Sequence, residues 1–517
     1  MRKVGVRVAV GCLVLAAAGV GGFRLVSSSD EDGKAIRIGT TETVTALDPA
    51  GAYDGGSWAL YSNLYQSLLT FTSGDSEPVP DAASSCGFEG GELLKYVCEL
   101  RPDLHFSGGR TMTAQDVEFS FRRIIDIGDK QGPKPLLSTL KSVRAEGDRK
   151  VVFELRSPDA TFPYKIASGA GSIVDREFYP ADKLRTDNKV SGSGPYVLKE
   201  YKDGEKAVLK PNGEYHGAAG TGRSVTVRYF DSAAALSGAW QRRDIDVVGG
   251  GLPPKELADL NPADPELRSM EISAATTRSL VFDLRGHSPM KEKAVRRAIA
   301  SIIDREQIVR DVYSRTVDPL YSLIPQGMSG HKTPFFDAYP KPDADRARAL
   351  LQEAGITTPV RFTLGVARGT SSEAETVAVR RQLEDTGLFE VTIDRRDWDG
   401  FTNAFPKGEF DAYLISWIAD FPDPDTFTTP LVGPEPVFYN GYQSKQINNL
   451  ILATQREDER SRAVGDFRAI QKIVAEDVPM IPIWQQKDHI LSTNDIAGTE
   501  YLSDGTGMWR LWKLDHI

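Results

Sequence analysis

The segment over 360–417 constrains the fold of this chain most. Its hydrophobic pattern predicts a strand over 360–366, a helix over 373–385, a strand over 390–394, a helix over 398–405 and a strand over 410–417. That is a βαβαβ arrangement, which predicts a parallel, doubly wound α/β layer. In open sheets of this kind ligands bind beyond the carboxyl ends of the strands. The residues that follow the outer two predicted strands are Arg368, after Val366, and Asp420, after Trp417. A cation and an anion brought to one rim suit a zwitterionic ligand. The plainer alternative is that Asp420-Phe421-Pro422-Asp423-Pro424-Asp425 is a turn rich in helix caps and Arg368 a solvated loop residue.

Around this layer the pattern predicts a strand at 35–38, a helix over 57–69 with Asp54 or Ser57 as its cap, a helix over 113–125 and a strand over 151–155. Residues 75–188 read as a small separate lobe. A helix over 231–240 leads to a strand at 244–248. Val295, Ile299, Ile302 and Ile303 recur at helical spacing and predict one helix over 294–313. A further helix over 344–354 ends at Gly355, placed as a C-cap.

The N-terminus carries Arg2, Lys3 and Arg7, then an uncharged run over 8–23, then Arg24 and an acidic tail at Asp30, Glu31 and Asp32. This is the pattern of an export signal, and the basic residues ahead of the run place the rest of the chain outside the cytoplasm. Ala16 and Ala18 have the spacing of a cleavage site, but the run nearly spans a bilayer, so residues 1–32 read either as a removed signal or as a retained anchor. Ala9-Val10-Gly11-Cys12 is a weak lipoprotein box, since almost no apolar run precedes Cys12. Cys86 and Cys98 are the other two of three cysteines, and in an exported chain so close a pair is expected to form a disulfide rather than two free thiols. Their spacing excludes a C-x-x-C redox or zinc site.

Composition removes other classes. With 62 Lys+Arg against 72 Asp+Glu the net charge is −10, which disfavours nucleic acid as a partner. His105, His216, His287, His331, His489 and His516 show no paired metal-ligand spacing, so no metal is expected, and no motif calls for a cofactor. There is no G-x-S-x-G elbow or Walker loop, and Gly220-Thr221-Gly222 lacks the third glycine of a dinucleotide fingerprint. Ser138 and Lys141 fit S-x-x-K without its companion motifs. Carboxylate-pair glycosidase chemistry has no positive support. An extracytoplasmic hydrolase of peptides or sugars therefore stands only as the rival class.

The chain resembles the extracytoplasmic solute-binding proteins of ABC importers, family 5, the peptide cluster. The resemblance rests on Thr45-Ala46-Leu47-Asp48-Pro49 with Tyr53, Asp54, Tyr65 and Leu68; on the block Leu100-Arg101-Pro102-Asp103-Leu104-His105-Phe106-Ser107-Gly108-Gly109, continued to Val117; and on Gly192-Ser193-Gly194-Pro195-Tyr196 with Asn212 and Tyr215. It continues through Val295-Arg296-Arg297-Ala298-Ile299, Asp304-Arg305, the 417–425 segment and Pro479-Met480-Ile481-Pro482-Ile483. It implies a periplasmic-binding-protein-like two-lobe fold of type II, cluster C, with an extra small domain inserted in the first lobe. Lobe I would comprise 33–75, 190–272 and 488–517, the inserted lobe 76–189, and lobe II 273–487.

The resemblance also implies no enzyme activity. It implies capture of a short peptide between the lobes by a monomer, and delivery to ABC permease subunits in the membrane. In dipeptide-binding members an aspartate that falls on Asp420 pairs with the peptide ammonium, with Trp417 and Phe421 around it. An arginine that falls on Arg368 holds the carboxylate. Tyr53 is expected among the ligand contacts. Two departures bear on peptide length: Thr370 stands where those members carry a tyrosine, and the cysteine loop over 84–98 replaces an aspartate-rich turn. Other members of the fold carry nickel complexes, haem, opines or oligosaccharides, so the fold alone names no ligand.

Overall fold

A computed structural model describes residues 35–217, 222–368, 372–503 and 505–517. The export-signal reading over 1–32 and Thr370 lie outside the described residues. Strands Val360–Ala367, Phe389–Arg396 and Ala412–Ile418 and helices Ser372–Glu384 and Trp398–Ala404 form the expected βαβαβ unit, with the first strand parallel to both others. Gly365 permits the close packing here: a Cβ on it would stand 2.5 Å from the ring of Phe410.

The layer does not stand alone. Strand Ala412–Ile418 pairs antiparallel with the long strand Leu267–Phe282, which pairs in turn with Met480–Thr493. Beyond these lie Val247–Val248, Ile36–Thr40, Val225–Tyr229, Lys206–Pro211 and Tyr196–Lys202, so among the described residues one mixed sheet of eleven strands crosses the molecule. Its two ends serve different cores. One buried cluster gathers Ile36, Ile38, Leu60, Val225 and Leu511, and another gathers Leu280, Ile299, Leu364, Tyr413 and Ile483. The two long strands carry the chain between the two cores in opposite directions, and the register of their pairing shifts between Ser273 and Thr277 and again between Arg278 and Ser279.

A second sheet of strands Ala83–Phe88, Lys95–Leu100, Lys150–Leu155 and Leu140–Glu146 is antiparallel. Helix Ala114–Ile127 covers it, started by a capping box in which Asp116 accepts from the backbone N–H of Thr113 at 2.9 Å. Val117, Phe121 and Phe153 merge into the first core. Cys86 and Cys98 lie directly opposite each other on neighbouring strands and are joined by a disulfide.

The single helix expected over 294–313 is two helices, Lys293–Ile302 and Arg305–Asp311. The break falls at Ile303, which is extended, because Asp304 turns its side chain onto the N–H of Gln307 and caps a new helix. The helix expected over 57–69 spans Gly55–Leu64, with Asp54 as its cap. The stop at Gly355, with φ of 68°, follows helix Ala344–Glu353 as read.

Candidate functional site

Between the two cores lies a cavity of about 630 Å³. Its first wall is formed by Glu42, Thr43, Tyr53, Asp54 and Trp58, and its second is largely aromatic, with Trp398, Phe401, Phe405, Trp417, Phe438 and Trp484. An apolar enclosure with few polar groups is the usual form of a small-ligand site.

Asp420 stands at the junction of the walls, two residues beyond the end of strand Ala412–Ile418. Thr426, in the first turn of helix Asp425–Val432, ties the loop back: its hydroxyl accepts from the N–H of Asp420 at 3.0 Å and donates to Oδ2 at 3.2 Å, while its carbonyl accepts from Nε1 of Trp417 at 2.8 Å. From the opposite wall the hydroxyl of Tyr53 donates to Oδ1 of Asp420 at 2.7 Å, with the Tyr53 ring packed 5.5 Å from that of Trp58. Burial raises the Asp420 carboxyl to about 7, against the hydrogen bonds from Tyr53 and Thr426, which pull it down. Burial and the neighbouring carboxylate hold the Tyr53 phenol protonated as the donor.

Below the loop, Arg460 holds Asp423 by two parallel bonds, Nε to Oδ2 at 2.8 Å and Nη2 to Oδ1 at 2.9 Å, both side chains being buried. Phe421 does not face the cavity. It is 1% exposed and sits in the first core, 6.0 Å from the ring of Tyr164, although its neighbours in sequence belong to the other side. It therefore pins the loop from behind, while Trp417 lines the cavity. Lys165 and Asp159 form a further buried ion pair at 2.7 Å, and the N–H of Ala160 donates to the carbonyl of Gln455, so the same side is stitched by polar contacts too.

Arg368 follows strand Val360–Ala367 at the rim. Its N–H donates to the carbonyl of Arg396 at 2.7 Å, its side chain is exposed, and it is not among the cavity-lining residues, although Ala367 is. The structure thus brings Asp420, Tyr53 and Trp417 together at the cavity and leaves Arg368 outside its wall.

Sequence reasoning missed Arg278 and Glu375. Arg278, on strand Leu267–Phe282, lines the cavity, and its Nε donates to Oε2 of Glu375 at 2.9 Å. Glu375, in the first turn of helix Ser372–Glu384, has no exposed surface, and its Oε1 accepts from Nε1 of Trp484 at 2.7 Å. The available signal was a lone arginine ahead of the apolar run Leu280-Val281-Phe282. Among the described residues no cluster of His, Cys, Asp and Glu is arranged to hold a metal ion. Lys141 of the S-x-x-K match lies on an exposed face, 3.5 Å from Glu154.

The family model for bacterial extracellular solute-binding proteins, family 5, matches residues 77–438. A probable D,D-dipeptide-binding periplasmic protein of Escherichia coli is 25% identical over 479 residues, 89% of this chain and 90% of the relative. A di/tripeptide-binding protein of Pseudomonas aeruginosa is 26% identical over 487 residues, 87% of this chain and 89% of the relative. Among solved structures, a dipeptide-binding protein from a Pseudoalteromonas species in complex with Met-Leu superposes with a TM-score of 0.80 at 19% identity, covering 94% of this chain and all 100% of that one. With a mixed α/β fold and a ligand-sized cavity between two cores, the chain belongs to the bacterial extracellular solute-binding proteins of family 5, extracytoplasmic binding proteins and not enzymes.

Proposed function

We propose that the cavity captures a short peptide and that the protein, acting as a monomer, hands it to the permease subunits of an ABC importer. The observation that carries this reading is Asp420: a carboxylate enclosed at the edge of an aromatic cavity and braced by two hydroxyls, with no protein cation bonded to it among the described residues. A peptide ammonium supplies the missing charge as a charge-assisted hydrogen bond. The names of the two relatives, both peptide binders, agree with this choice of ligand.

In this reading Asp420 takes the ammonium, Tyr53, Trp417 and Phe421 shape its surroundings, and Arg368 meets the ligand's carboxylate at the mouth, with Thr370 near it. Lobe I comprises 33–75, 190–272 and 488–517, lobe II 273–487, and 76–189 an inserted small lobe; the two buried cores support the division between lobes I and II, while the 76–189 segment shares the first core. Residues 1–32 direct export and then either anchor the protein or are removed. The test is calorimetry with free and N-acetylated dipeptides, with Asp420→Asn beside the native protein. Free dipeptides should bind and acetylated ones should not, and the substitution should cost about 1.5–3 kcal/mol. Equal binding of free and acetylated peptides would reduce Asp420 to a turn residue.

A further inference from the structure

Among the described residues that line the cavity, Arg278 is the single cation, facing walls that otherwise offer Glu42, Asp54 and Asp420 as charges. Its side chain is 11% exposed and that of Glu375 is wholly buried. The way the pair is built leaves part of the guanidinium unused. Glu375 engages only Nε with one oxygen and gives its other oxygen to Trp484. Nη1 makes a long 3.4 Å contact with Oγ of Ser416, and Nη2 has no hydrogen-bond partner among the described residues. A guanidinium gripped along its Nε edge keeps its Nη1–Nη2 end for a second carboxylate, which that end can hold with two parallel bonds.

The backbone explains why the side chain is aimed this way. Arg278 pairs with Ser416 on one side and with Trp484 on the other, and the register with strand Met480–Thr493 shifts immediately after it. Irregularities of this kind re-aim side chains. Arg278 sits opposite Ser416 within strand Ala412–Ile418, whereas Asp420 follows in the loop beyond the strand's end. The two charges therefore come to the cavity from different elements and can address different groups of one ligand.

We infer that Arg278, positioned by Glu375, is the anion-recognition residue inside the cavity and selects ligands that carry a carboxylate there, whether a free C-terminus or an acidic side chain. The inference rests on the peptide reading and deepens it. Arg368 becomes an outer contact, and the discrimination of charge is made beside the aromatic wall, where the Arg278 side chain is largely buried and an unmatched guanidinium end is poorly compensated.

The test uses the tripeptides Ala-Ala-Glu and Ala-Ala-Gln, each with a free or an amidated C-terminus, in titration calorimetry against the whole protein. Neutralising the carboxylate that Arg278 reads should weaken native binding at least about tenfold, and which neutralisation does so identifies the C-terminus or the side chain as its source. In the charge-balanced variant Arg278→Met with Glu375→Gln that ratio should fall below about twofold while sensitivity to N-acetylation persists. In Arg368→Gln the ratio should be retained. Because damage to the fold weakens charged and neutralised ligands alike, a purely structural ion pair leaves the ratio unchanged. A ratio that survives the double variant overturns the inference, as does a ratio lost only in Arg368→Gln, or the absence of any ratio in the native protein. If the double variant does not fold, Arg278→Lys, which keeps the charge and loses the fork, should reduce the ratio several-fold, and an unchanged ratio there overturns the assignment. If the native protein binds none of the four peptides nor any free dipeptide, the peptide reading itself fails and takes this inference with it.

Discussion

The hydroxyl of Tyr53 donates a 2.7 Å hydrogen bond to Oδ1 of Asp420, a residue 367 positions later in the chain. The bond joins the two walls of the cavity at the carboxylate itself. With Thr426 on the other oxygen, two of the roughly four lone-pair directions of a carboxylate are taken, so a ligand ammonium can join the arrangement without displacing either hydroxyl.

The first expectation concerns pH. Burial raises the Asp420 carboxyl to about 7, so the native state takes up its proton more readily than the unfolded chain. Its contribution to stability is fully present below the unfolded value near 4 and is lost as pH rises through about 7. Ligand binding runs the other way, because the ammonium requires the ionised form. Peptide affinity should rise from pH 5 to pH 7, by at most about tenfold per unit, and decline once the ligand amine deprotonates near 8. Calorimetry at pH 6 in two buffers of different ionisation heat should register proton release on binding; no release would contradict the assignment.

Tyr53→Phe removes the larger of the two hydrogen bonds that lower the Asp420 carboxyl. The midpoint of the affinity–pH curve should move upward, and stability in chemical denaturation should fall by about 1 kcal/mol. An unmoved midpoint would mean that the phenol does not tune the carboxylate.

Arg460→Met leaves the buried carboxylate of Asp423 without its partner, at a cost of about 3–5 kcal/mol. The double change with Asp423→Asn should recover a substantial part of that loss. Affinity for peptide should fall in the single variant, because the loop that carries Asp420 stands on this pair. Urea unfolding of the native protein, Arg460→Met, Asp423→Asn and the double variant gives the cycle.

Replacing Cys86 and Cys98 by serine should lower stability by about 3 kcal/mol through the lost constraint on the unfolded chain. Peptide affinity should not change, since neither residue lines the cavity. Titration of the exported native protein under denaturing conditions should find neither of these two thiols free.

The βαβαβ unit was legible because short β-prone segments alternate with helical patterns of about ten residues, and both signals are local. The rim position of Asp420 followed from the topology such a unit imposes. The break at Ile303 was not legible, because Asp304 reads equally well as an exposed helical residue and as a cap. Phe421 was expected to shield Asp420, and nothing in its own neighbourhood reveals that it inserts into the first core against Tyr164. Arg278 was hidden for a similar reason: its partner Glu375 lies 97 positions away, and only the tertiary fold brings them together.

Strand Ile36–Thr40 is seated between Val225–Tyr229 and Val247–Val248, and the latter is held in turn by Met480–Thr493. The sheet's middle is thus assembled from the earliest and latest parts of the described chain. Closing such long loops costs entropy before any pairing repays it, so folding should be slow and dominated by non-local steps. A growing chain possesses no finished cavity until residues near 484 and 506, which line it, have arrived. Capture of cargo accordingly waits on chain as late as Thr506, and fragments lacking strand Met480–Thr493 should have neither a continuous central sheet nor any affinity for solute.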